Sequence, residues 1–143
     1  MKFGILGIPF NGDGTRPEIE NPAAALRKAG MSALQTRDGD ALLDYGDIDI
    51  PVFEGTRDPT TKVLNLEAWK EVARQTAEKL LSIQKEVDFA IILGGGCSIL
   101  LGIYGAFSLA DISIACYHPN LDSHLKAASE LVSKLGSALL YGA

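Results

Sequence analysis

Apolar residues in this chain follow two patterns that alternate along its length. Short unbroken runs end at glycine or proline, and longer stretches carry apolar positions at steps of three and four. Residues 2–9 (KFGILGIP) form a run of the first kind. Pro9 and then Asn11-Gly12-Asp13-Gly14 stop it, which predicts a buried strand leading into a glycine-rich loop. Asn21-Pro22 offers an N-cap with proline at the first helical position. Residues 23–29 fit a short helix and Gly30 its stop. Residues 41–50 (ALLDYGDIDI) are less regular: Leu42 and Leu43 start a strand, and Gly46-Asp47 is expected to break it. Residues 51–61, with Gly55, Asp58 and Pro59, read as loop.

The second pattern is clearest in residues 66–86, a helix that Asn65 is expected to cap. Trp69, Val72, Ala73, Thr76 (through its methyl), Leu80, Ile83 and Val87 make one stripe, with Lys70, Arg74, Glu78 and Lys85 on the other face. Residues 88–93 (DFAIIL) form a continuous apolar run, as expected of a strand buried on both faces, and Gly94-Gly95-Gly96 ends it. Residues 99–109 read as a wholly apolar, buried helix. Residues 111–117 (DISIACY) predict a last strand stopped at Pro119. Asp122 then caps a final helix with Leu125, Ala128, Leu131, Val132, Leu135 and Leu139 on its stripe.

Strand and helix thus alternate four times. This predicts a three-layer α/β/α fold with a short parallel sheet and right-handed crossovers, in one domain spanning residues 1–143. Ligands in such folds bind beyond the carboxyl ends of the strands. The loops of interest are therefore 11–16, 45–48, 94–98 and 117–121.

Composition narrows the function classes. With 47% hydrophobic and 22% charged residues, a core of ordinary size is expected. A net charge of -5 with no Lys/Arg cluster argues against a nucleic-acid partner. No stretch reaches the roughly 18 apolar residues of a membrane span, and no secretory signal is visible. Cys97 and Cys116 lack metal-binding spacing. A cytoplasmic chain with reduced thiols is the expectation. A disulfide between the two stays open, because both fall near the ends of neighbouring predicted strands.

Three features carry candidate chemistry. Cys97 follows three glycines where a helix begins, a position that favours thiolate. His118 ends the neighbouring predicted strand and can serve as its base, so Cys97 and His118 form a candidate catalytic pair. The bland counterpart is a buried, inert thiol. Gly94, Gly95, Gly96 and Ser98 can cradle an anion through backbone N–H groups, although the Lys of a P-loop is absent. Asp44, Asp47 and Asp49 can bind a hard cation weakly or form an ordinary solvated loop.

Several of these segments resemble one family. Residues 7–10 (GIPF), 12–17 (GDGTRP) and 21–27 (NPAAALR) are similar to the opening of arginases, agmatinases and formiminoglutamases, the ureohydrolases. Residues 44–47 (DYGD) resemble their D-x-G-D element. Residues 91–98 (IILGGGCS) resemble their first metal motif, L-G-G-D-H-S. Residues 113–122 (SIACYHPNLD) resemble the family's last strand. The resemblance implies the core of the arginase fold, with strand order 2-1-3-4, in which the retained strands are neighbours.

It also implies two manganese ions in a full family member. Here Gly96 and Cys97 stand at the Asp-His positions of that motif, and D-A-H-x-D and S-x-D-x-D do not occur. About half of a family member is expected to be missing between Gly102 and Asp111. No metal or other cofactor is expected to be bound. The last strand, lacking a neighbour, is expected to pair with a second copy and give a homodimer. Three functions remain open: a minimal arginase-like domain without ureohydrolase activity; a hydrolase acting on a C–N bond of a guanidino or formimino compound through Cys97 or a reduced metal site; and a small-anion-binding module.

Overall fold

β1 (Lys2–Ile8) is the centre of the sheet, and its sequence explains why. Ile5, Leu6 and Ile8 are fully buried, so both faces of the strand are covered. The structure is a computed structural model that describes residues 1–12, 21–31 and 39–110. In it β1 is flanked by β2 (Ala41–Asp47) and β3 (Phe89–Gly94), all parallel, in the order β2-β1-β3. The register pairs Gly4 with Leu43 on one side and with Ala90 on the other. The fourth place in the predicted 2-1-3-4 order, residues 111–117, lies outside the described residues. So do the final helix and the expected dimer edge.

Helices lie on both faces, as a parallel sheet requires. Side chains alternate across a strand, so Leu6 and Ile8 point to one face and Ile5 and Gly7 to the other. On the first face, Leu6, Ile8 and Phe10 join Ile48, Ala68, Val72, Leu80, Ile83, Ile103 and Ala106 in one apolar core. Those residues come from α2 (Leu66–Ile83), from α3 (Leu100–Ala110) and from the segment after β2. On the second face, α1 (Pro22–Lys28) comes so near that a β-carbon on Gly7 would lie 2.8 Å from the Ala23 Cβ.

Local chemistry explains α1 in full. Asn21 accepts hydrogen bonds from the N–H groups of Ala23 (3.0 Å) and Ala24 (3.1 Å), and Pro22 opens the helix. Gly30 takes φ +99° and donates to the Arg27 carbonyl at 3.0 Å, which closes it.

α2 buries Val72, Ala73, Thr76, Leu80 and Ile83 of the expected stripe and also Ala68, while Trp69 and Val87 are partly buried. Its cap differs from expectation. Asn65 is left-handed (φ 54°) and its side chain makes no capping bond. The helix also ends at Ile83, short of residue 86, because the Asp88 N–H must reach the Lys2 carbonyl at the start of the sheet.

Two further expectations change. Gly46 does not break the second strand. It takes φ +73° and forms a bulge, so that Ile5 faces Asp44 while Gly7 faces Asp47, and pairing continues with Ile48 N–H to Gly7 O at 3.0 Å. β3 and α3 were expected to be buried all round, but they are half-covered. Phe89 is 50% exposed, and in α3 only Gly102, Ile103 and Ala106 are buried among the residues up to 106. Among the described residues β3 pairs with β1 alone.

Candidate functional site

The carboxyl ends of β1 and β3 are stitched together by main-chain bonds. The Phe10 N–H turns back to the Ile8 carbonyl at 2.7 Å. Gly95 N–H donates to Ile8 O at 3.1 Å, and Gly96 N–H donates to Phe10 O at 2.9 Å. A β-carbon on Gly95 would lie 2.6 Å from the Phe10 carbonyl oxygen, so this approach needs glycine. Two donors of the expected anion loop are thus engaged within the chain, and Gly94 belongs to β3 opposite Ile8. Ser98 Oγ is buried, and among the described residues no group hydrogen-bonds to it.

Cys97 is exposed and begins a 3-10 turn (Cys97–Ile99) that runs into α3, where a helix start was expected. Its proposed partner His118 lies outside the described residues, as does Cys116. Neither the catalytic pair nor the disulfide is therefore placed.

The loop after β1 is roofed by α2. The Phe10 ring packs edge-on against Phe53 (5.7 Å between centroids) and Trp69 (6.3 Å). Trp69 Nε1 donates to the Gly12 carbonyl at 3.4 Å, and Asn65 Nδ2 approaches the same oxygen at 3.5 Å. Trp69 therefore serves the core, as the apolar stripe implies, and also holds the exit of β1.

At the end of β2 the acidic residues face a cation supplied by the chain itself. Arg27 Nε and Nη2 donate to the two carboxylate oxygens of Asp44 at 2.8 Å and 3.0 Å. Nη1 donates to Asp47, and Nη2 also reaches the Gly46 carbonyl at 3.0 Å. Asn21 Nδ2 donates to the second Asp47 oxygen at 2.7 Å, and Gly46 N–H donates to Asp44 at 2.9 Å. The hydrogen bonds to Asp44 and then Asp47 raise the Arg27 pKa above its ordinary value. Sequence reasoning quoted these residues but gave Arg27 and Asn21 no part at the site. The available signal was a lone arginine on a short helix, preceding two aspartates on the next strand.

A pair of manganese ions calls for several hard oxygen and nitrogen donors. Gly96 offers none, Cys97 offers a soft sulfur, and Asp44 and Asp47 are held by Arg27. Among the described residues no three His, Cys, Asp or Glu side chains come together as a metal site. The described residues do not fit that metal pair. Nor is any described helix long and apolar enough to cross a membrane.

Known proteins resemble this chain in both sequence and fold. The family model for arginases matches residues 1–135. Human arginase-1 is 29% identical over 144 residues, covering 94% of this chain and 41% of the human protein. The arginase of Agrobacterium fabrum is 31% identical over 98 residues, covering 68% of this chain and 30% of that protein. The crystal structure of the Bacillus cereus arginase superposes with a TM-score of 0.63 at 26% identity, covering 77% of this chain and 36% of that one.

The chain spans about two-fifths of the human relative's length. The match also corrects one expectation. Since 94% of the 143 residues fill 144 aligned positions, gaps opposite the human protein amount to about ten positions. A missing half between Gly102 and Asp111 would open a far longer gap. Residues 111–122 therefore continue one segment of the relative and do not jump to its last strand. On the family model over nearly the whole length, the aligned relatives and the shared parallel sheet, this chain belongs to the arginase family.

Proposed function

We propose that this chain is an arginase-like domain without ureohydrolase activity, in which the strand-end loops fasten the fold and do not surround a pair of metal ions. The observation that carries this reading is the pair Gly96-Cys97. It stands where the L-G-G-D-H-S motif has its aspartate and histidine, on a loop whose main chain is bonded to the exit of β1. The engagement of Asp44 and Asp47 by Arg27 supports it, because those carboxylates are not available to replace the lost donors.

The test is a metal count. The purified chain is incubated with manganese and dialysed, and the ions per chain are measured. None retained is expected; two per chain would overturn the proposal and call for assays with guanidino and formimino substrates. The exposed position of Cys97 favours one second reading, hydrolysis of a C–N bond by a cysteine nucleophile. Turnover of such a substrate by the metal-free protein would favour that reading over the first. The bonds made by Gly95 and Gly96 weigh against the anion-binding module. Self-association through residues 111–117 is the remaining part of the proposal and rests on their apolar sequence. Light scattering is expected to give a dimer, and a monomer at high concentration would end that part.

A further inference from the structure

We draw no further inference here: the strongest candidate, the partly covered apolar face of β3 around Phe89, Ile91 and Leu93, carries nothing because nothing in the structure shows what covers it.

Discussion

Gly95 is exposed, so a rule based on burial alone would treat Gly95→Ala as harmless. The geometry says otherwise. The added β-carbon would lie 2.6 Å from the Phe10 carbonyl oxygen, 2.9 Å from its carbonyl carbon and 3.2 Å from its nitrogen. All three are main-chain atoms, so no side-chain rotation relieves the contact. The strand-end loops must move apart, and that motion stretches the bonds from Gly95 N–H to Ile8 O and from Gly96 N–H to Phe10 O. Overpacking costs about 1–3 kcal/mol, and each weakened hydrogen bond roughly 0.5–1.5 kcal/mol. A loss of about 2–6 kcal/mol is therefore expected.

Gly96→Ala is the matched control. There φ is −94°, the nearest atom is the Asn11 side-chain oxygen at 3.1 Å, and that side chain can turn away. Its effect should stay within about 1 kcal/mol of zero, since a less flexible unfolded chain offsets mild crowding. Urea unfolding followed by circular dichroism reads both. With a slope of about 1–3 kcal/mol per molar urea, the Gly95 variant should lose on the order of a molar or more in its midpoint. Equal midpoints for the two variants would refute the claim that the Phe10 carbonyl dictates glycine at 95.

Two further outcomes follow from the charged groups. Arg27→Met keeps the aliphatic stem but leaves Asp44 and Asp47 facing each other without their guanidinium; allowing for solvent screening at this partly exposed site, the expected loss is about 1–3 kcal/mol in the same urea assay, and an unchanged midpoint would make the fork incidental. On the outer face of α2, hydrogen bonds from Arg74 and then Gln75 hold the Glu71 carboxyl at about 2 against an ordinary 4.5. The folded value lies below the unfolded one, so this contact contributes stability above pH 4.5 and loses it as pH falls toward 2. In Arg74→Ala the Glu71 carboxyl is expected to titrate closer to 4.5 by carbon-13 NMR, and an unmoved titration would count against Arg74 as the main cause.

The elements legible in the sequence are those decided by neighbours along the chain. Asn21, Pro22 and Gly30 bracket α1 through contacts within a few residues, so composition alone locates its ends. The stripe of α2 is legible because burial repeats with the helical period. What the sequence hid is decided across the fold. A glycine inside a strand pattern can mean a break or a bulge, and pairing with β1 decides for the bulge at Gly46. The Arg27 fork joins a helix to a strand 17 and 20 residues away, and no local pattern announces it. An apolar run also reads alike in a strand buried on both faces and in one covered only in part, so the partial cover of β3 was not visible.

The same distinction separates family from function at the Gly94–Ser98 loop. Of the two glycines kept from the L-G-G-D-H-S motif, Gly95 is the one where main-chain packing admits nothing larger. A β-carbon on Gly94 would meet the tip of the Ile99 side chain, which can turn, whereas one on Gly95 would meet the Phe10 main chain at 2.6 Å. The departures from the motif fall at 96 and 97. Position 96 has ordinary φ and only a movable side chain beside it, and Cys97 is exposed. Folding therefore constrains position 95 and leaves position 96 open to other residues. A change at residue 96 therefore costs little in stability, and the fold does not require the aspartate that the motif has there. Membership of the arginase family thus rests on the residues that build the sheet and its loops, while activity rests on others.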